Sequence, residues 1–283
     1  ASLNVEHTNG GAADTGKTFS MGNQLTFSGS GELDNGLNVS LSFVIDQGDD
    51  EMPAESSPFD SHSVTISSDA LGSLKFSGEG GSSATSALDT TAAGDIWDAY
   101  DIASTVHPTG IGGGSNSMLY TLPALMDGLS VNASFNPSGT STESAMGYSA
   151  TYTGVEGLTL SYGSGDGTTA NTSADAMKAS YAYGPVTVAY SNYEYDADGT
   201  SSDDDTTSYK VSYTVSDEIS VSYGSETVER GTLQDVETSR ISASYTAGGM
   251  TISATMDEIE NMDGTTTATQ DRERWALGAS FAF

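Results

Sequence analysis

The sequence predicts an all-β fold: one 16-stranded antiparallel transmembrane β-barrel spanning residues 1–283, apolar outside and polar within. Three observations predict it. Apolar and polar residues alternate with period two along most of the chain, the pattern of strands with one face of each kind. Short turn-type connections alternate with longer polar ones. No charged residue stands on any apolar stripe.

The stripes follow in order. Leu3 and Val5 come first, then Phe19, Met21, Leu25 and Phe27, then Leu37, Val39, Leu41, Phe43 and Ile45. Val64/Ile66, Leu74/Phe76 and Met118/Tyr120/Leu122 continue the series, followed by Leu129, Val131, Ala133 and Phe135. Next are Met146/Tyr148/Ala150/Tyr152, Leu158/Leu160/Tyr162, Met177/Ala179/Tyr181, Val186/Val188/Tyr190 and Tyr209/Val211/Tyr213/Val215. The last four are Ile219/Val221/Tyr223, Ile241/Ala243/Tyr245, Met250/Ile252/Ala254/Met256 and Trp275/Leu277/Ala279/Phe281/Phe283.

Turn chemistry marks the short connections, as at Asp34-Asn35-Gly36, Met126-Asp127-Gly128, Gly184-Pro185 and Ala247-Gly248-Gly249. Between them lie polar loops at 47–59, 80–115, 137–144, 164–175, 196–206, 228–238 and 257–270. All the long loops therefore fall at one end of an antiparallel meander. Gly163-Ser164-Gly165-Asp166-Gly167 has no strand-to-helix context and reads as a turn rather than a phosphate loop.

A β-sandwich shares this periodicity, with its polar faces in bulk water. Small apolar residues such as Ala133, Ala150, Ala179 and Ala254 would fill a sandwich core poorly, yet they suit lipid contact. Aromatic residues at stripe ends match the girdles of a membrane barrel, and an even strand count with long loops on one side fits the same architecture. Backbone groups in lipid need partners, so the sheet must close.

Composition sets the outer limits. Eight Lys and Arg against 39 Asp and Glu give a net charge of −31, which argues against a nucleic-acid partner. Low hydrophobicity (36%) with that charge is the usual mark of disorder, but 14 Tyr and 8 Phe are not. The absence of Cys removes disulfides and thiol chemistry. No run approaches the length of a transmembrane helix. No signal peptide is visible, as expected of a mature exported chain.

The segment from Asn116 to Asn136 reads Asn-Ser-Met-Leu-Tyr-Thr-Leu-Pro, then Gly128-Leu129. It resembles the Asn-Ser-x-x-Tyr-x-x-Pro…Gly-Leu segment of Gram-negative general porins, and the terminal Phe283 is similar to the porin C-terminus. The resemblance implies a trimeric 16-stranded barrel in the outer membrane, and passive diffusion of ions and small hydrophilic solutes. Its partners would be two further copies of the chain, outer-membrane lipid and lipopolysaccharide. It also implies that the long loop after the fifth strand, here 80–115, folds into the pore. Leu119 departs from the pattern by carrying an apolar side chain on the pore-facing parity, where relatives often carry a polar or basic one.

Within that loop, residues 94–103 have helical spacing, with Asp95 and Asp98 placed to cap a helix start. Ile96, Ala99, Tyr100 and Ala103 share one face and Asp95, Asp98 and Asp101 the other. The expected acidic constriction set is Glu79, Asp89, Asp95, Asp98 and Asp101. Lys75, Lys178, Lys210, Arg240, Arg272 and Arg274 have the polar-face parity and form the expected basic wall. Opposed charged groups would make the channel selective, with cations preferred.

Other acids crowd the long-loop end. Asp196-Ala197-Asp198-Gly199 resembles the start of a calcium loop, with Asp203 and Asp205 nearby, but lacks the distal Glu. No cofactor is required, and a bound Ca²⁺ at Asp196, Asp198, Asp203 and Asp205 is the one the pattern allows. A solvated acidic rim is the alternative. Ser61-His62-Ser63 invites a hydrolase reading, but His62 shares its face with Val64, away from lumenal serines. The chain is thus not expected to be an enzyme. A substrate-specific channel would need a lumenal aromatic ladder, whereas the polar parity here is mostly Ser, Thr and Asn. An acidic surface β-protein or adhesin without a pore would be soluble without detergent.

Overall fold

A computed structural model of the chain describes residues 2–10, 16–20, 24–46, 59–88, 90–100, 113–137, 143–169, 171–197, 203–262, 264 and 271–281. Side chains are described for these except 2–10, 16–20, 24, 46, 59–60 and 87. Asp89, Asp101 and Asp198 of the expected sites, and Ala103 and Phe283, lie outside the described residues.

The strands are β1 (Ser2–Gly10), β2 (Gly16–Ser20), β3 (Gln24–Glu32), β4 (Asn38–Asp46), β5 (Phe59–Ser68) and β6 (Gly72–Glu79). After the long loop come β7 (Ser117–Thr121), β8 (Leu129–Asn136), β9 (Ala145–Tyr152), β10 (Leu158–Asp166), β11 (Ser173–Tyr183) and β12 (Val186–Asp196). The last are β13 (Asp204–Thr214), β14 (Ile219–Arg230), β15 (Val236–Ala247), β16 (Met250–Glu260) and β17 (Arg272–Phe281). From β3 to β17 each strand pairs antiparallel with the next. β17 then pairs with β1, and β1 with β2. β2 and β3 together form the second apolar stripe, and counting them as one strand makes sixteen. No helix among the described residues is long and apolar enough to cross a membrane, so crossing falls to the strands.

The two faces are inverted relative to a water-soluble protein. Tyr209, Ile241 and Met256 are 56%, 59% and 67% exposed on the outside, while Thr206, Ser208, Glu226 and Asp257 are fully buried inside. A buried Leu or Ile side chain gains about 1.5–3 kcal/mol over an exposed one, so the outer stripes favour lipid. Inward hydroxyls satisfy one another across strands, as in Ser220–Ser244 (2.7 Å) and Ser222–Ser242 (2.6 Å).

Short turns form where their chemistry requires. Gly72, Gly128 and Gly157 have φ of 76–77°. A Cβ at Gly157 would lie 2.3 Å from the Ala182 carbonyl oxygen, so no other residue fits there without movement.

At the opposite end the strands outlast their stripes. Strand enters the expected loops 164–175, 196–206 and 228–238 from both ends, because β10 runs to Asp166 and β11 starts at Ser173, β12 runs to Asp196 and β13 starts at Asp204, and β14 runs to Arg230 and β15 starts at Val236. The Gly163–Asp166 stretch is therefore ladder, not turn. Alternation fades here because both faces carry Ser, Thr and acids. Some apolar residues also face inward, and Val228, Val236 and Ile259 are almost completely buried. They meet a segment of the long loop.

Candidate pore constriction

The loop after β6 turns into the barrel and lies on its inner wall. Its first 3₁₀ turn, Ser86–Leu88, puts Leu88 among Ala145, Ala174, Ala176 and Tyr193. Ser149 donates to the Ala84 carbonyl (2.6 Å). Gly163 opens the space: a Cβ there would lie 2.5 Å from Leu88 Cδ1.

The next segment follows one row of inward residues. Lys178, Ser191, Ser208, Glu226, Thr238 and Ile259 stand opposite one another across six consecutive strands, β11 to β16. Lys178 Nζ donates to the Thr90 carbonyl (2.9 Å). Ser191 Oγ accepts from the Ala92 amide (2.8 Å), and Ser208 Oγ from the Ala93 amide (2.9 Å). Glu226 Oε1 accepts from the Thr91 hydroxyl. Its Oε2 accepts from the amides of Ile96 (2.7 Å) and Trp97 (3.3 Å) and from Thr238 Oγ1 (3.3 Å).

A short 3₁₀ helix, Ile96–Tyr100, follows. Ile96 and Tyr100 are buried, and Tyr100 packs with Val228, Val236, Ile259 and Met262. Burial pushes the Tyr100 hydroxyl well above the usual tyrosine range, with the Asp257 charge adding to the effect. The expected cap is corrected: Asp95 does not cap this helix. It has a positive φ of 51°, and its Oδ1 accepts from the Thr91 amide (2.8 Å). The helix amides are taken instead by Glu226 from the wall. Burial holds the Asp95 carboxyl above the usual aspartate range, and the two Thr91 hydrogen bonds and Lys178 oppose this only in part. Asp98, on the helix, is exposed, as is Glu79 at the end of β6.

Of the expected basic residues, Lys178 meets the loop directly, and Arg240 and Arg274 lie close enough for their charges to act on Tyr100 of its helix. Lys178 holds the loop, and Lys210 stands on β13, which also carries it. Arg240 and Arg274 are joined through buried Asp257. Arg240 Nε and Nη2 donate to its two oxygens (2.7 and 2.9 Å), and Arg274 Nη1 to Oδ2 (3.0 Å). Arg272 stands one inward position further towards the long-loop end. Lys75 lies on β6, opposite Leu119 of β7, beside the departure of the loop. Where the loop lies on the wall, its backbone meets hydroxyls, one carboxylate and one amine, and the Thr91 hydroxyl, Leu88 and Tyr100 add side-chain contacts.

Sequence reading missed Thr91, Ser191, Ser208, Glu226 and Asp257. The signal was present in part. Glu226 and Asp257 are acids on the inward parity of strands, where an isolated charge needs a partner.

At the rim, Asp175, Glu194, Asp205 and Glu229 stand directly opposite one another across β11 to β14. With Asp196, Asp203 and Asp204 they line a cleft of roughly 460 Å³. Among the described residues no three acidic or histidine side chains converge to hold a metal ion.

A family model for Gram-negative porins matches residues 1–235. No curated protein sequence matches the chain. Solved structures do match in fold. OmpT, an outer membrane protein of Vibrio cholerae, is 14% identical with a TM-score of 0.70, over 100% of this chain and 95% of that one. A multiple mutant of the Rh. blastica porin is 14% identical with a TM-score of 0.70, over 100% and 97%. The anion-selective porin from Comamonas acidovorans is 14% identical with a TM-score of 0.67, over 99% and 97%. The family match covers most of the chain, and the fold agrees with these structures over their whole length: the chain belongs to the Gram-negative porin family, as a channel of the outer membrane.

Proposed function

We propose that this porin passes small hydrophilic solutes and ions by passive diffusion, with cations preferred, and catalyses no reaction. One observation carries the preference: the two arginines nearest the loop helix are paired with a buried carboxylate, while the acid on that helix is exposed. Arg240 and Arg274 share Asp257, and Lys178 is tied to the Thr90 carbonyl beside the Asp95 carboxyl, whereas Asp98 is exposed on the seated helix. The rim acids add a negative potential at the mouth, which raises the local cation concentration. A hydrated, exchanging cation atmosphere suits that rim better than a fixed Ca²⁺ at Asp196, Asp203 and Asp205. Because the same fold serves an anion-selective relative, the sign rests on these side chains. The test is the reversal potential in a KCl gradient. The unaltered channel is expected to favour K⁺, and D95N/D98N to reduce that preference. Equal ratios in the two proteins would remove the assignment.

The working unit we propose is a homotrimer. Tyr and Trp are absent from residues 1–79, yet Tyr148, Tyr162, Tyr209, Tyr213, Tyr223 and Trp275 stand outward on later strands. A membrane interface favours rings with a polar edge. The β3–β6 face offers instead a Phe27–Phe43 stack (4.8 Å), the open surface at Gly29 and Gly31, and Leu41 and Val64. That composition suits contact with a second copy, and the remaining perimeter suits outer-membrane lipid and lipopolysaccharide.

A further inference from the structure

We infer that Glu226 and Thr91 are the positioning pair that sets the aperture and charge of this pore. The inference rests on the porin reading and deepens it, by naming what holds the constriction in place. Thr91 is the hub of the loop. Its hydroxyl oxygen accepts from the amides of Gly94 (3.0 Å) and Asp95 (2.8 Å), and its own amide donates to Asp95 Oδ1. Residues 91–95 thereby form a closed ring that fixes the Asp95 carboxylate. The amides of Ala92 and Ala93 point out of the ring to Ser191 and Ser208, and the Thr91 hydroxyl gives its proton to Glu226.

Glu226 is suited to this task alone. It is 1% exposed, and among the described residues it forms no salt bridge. All four of its hydrogen bonds come from neutral donors, three of them in the loop. A carboxylate buried without a base is costly, and it persists where its acceptor capacity is filled. The loop fills it. The relation is therefore mutual: the wall lacks a partner without the loop, and the helix amides lack a cap without the wall. Gly224, the preceding inward residue of β14, completes the socket, because a Cβ there would lie 2.8 Å from Ala93 Cβ. Asp98 and the Asp95 ring are thus located relative to the lumen by one side chain more than a hundred residues away.

Single-channel recording of the full chain in planar bilayers tests the pair, with T91V, T91S, E226Q and T91V/E226Q compared with the unaltered protein. Losing one such hydrogen bond should raise the population of displaced loop states by about tenfold. T91V and E226Q are expected to show that rise as occupancy of altered conductance levels, together with a changed K⁺/Cl⁻ ratio. T91S retains the hydroxyl and is expected to restore the original record. The double variant is expected to fall short of the sum of the two single effects, since both substitutions remove the shared Thr91–Glu226 bond. Traces of T91V that cannot be told from the unaltered protein, or effects that add in the double variant, overturn the inference. Thr91 is in the loop, so T91V and T91S report even where E226Q does not assemble. An unaltered protein that forms no channels would instead contradict the porin reading itself.

Discussion

Asp95 shows how a single residue is tuned by what surrounds it. Its carboxyl is held above the usual aspartate range by burial. A raised pKa in the folded state means that the protonated form is favoured there. The associated stability is present at low pH and is lost as pH rises through the folded value. The electrical consequence has the opposite sense: Asp95 helps select cations at high pH and stops doing so as pH falls, before an ordinary aspartate would. The K⁺/Cl⁻ ratio of the unaltered channel is therefore expected to fall in an early step as pH is lowered from neutral. D95N is expected to lack that step, which reversal potentials across a pH series would reveal. Glu226 carries the same lesson for sequence reading. Its parity was legible, but its role was not, because none of its partners is a base and its loop partners, the Thr91 hydroxyl and the Ile96 and Trp97 amides, lie 129 to 135 residues away.

Elements were legible where one face met lipid. The stripes of β11 to β17 sit where period two puts them, because a one-residue slip would turn every apolar side chain inward. Legibility ended where β10, β12 and β14 rise past the apolar stripes and meet polar surroundings on both sides. The helix in the loop was legible as an apolar-faced turn at Ile96, Ala99 and Tyr100, but its cap was not. The basic wall was legible only as parity. Alternation places Arg240, Asp257 and Arg274 inward, and it says nothing of the register that sets them side by side. That triad makes a prediction at the scale of paired strands. Removing one partner of a buried ion pair costs about 3–5 kcal/mol, and the partial exposure of these arginines reduces this to roughly 1–3. D257A is therefore expected to unfold at lower temperature in detergent, followed by circular dichroism. It is also expected to shift selectivity towards anions by freeing two guanidinium groups. An anion shift without destabilisation would show that the triad has no structural part.

For the whole molecule, the contrast between its two outer sectors is directly testable. L41R changes the sector without Tyr or Trp, and V211R a stripe flanked by Tyr209 and Tyr213. An arginine facing lipid near the midplane costs about 2–4 kcal/mol. V211R is expected to weaken barrel assembly while leaving assembled barrels trimeric. L41R is expected to give folded monomers, seen by unheated electrophoresis and by mass in detergent. The same response from both variants would remove β3–β6 as the contact. The overall architecture was legible at this scale because nearly every strand pairs with its sequence neighbour. The exception is the seam, where residues 2–10 meet 272–280. The seat of the loop has a similar reach, since its hydrogen bonds to the wall span 65 to 135 residues of sequence. Long-range pairings of this kind are late events for a folding chain, because loop-closure entropy must be met before they repay it. When hairpins form in order, the loop meets β9, β11, β12 and β13 first, and its helix amides gain their cap only when β14 brings Glu226, so the filter is completed near the end of the channel's own assembly.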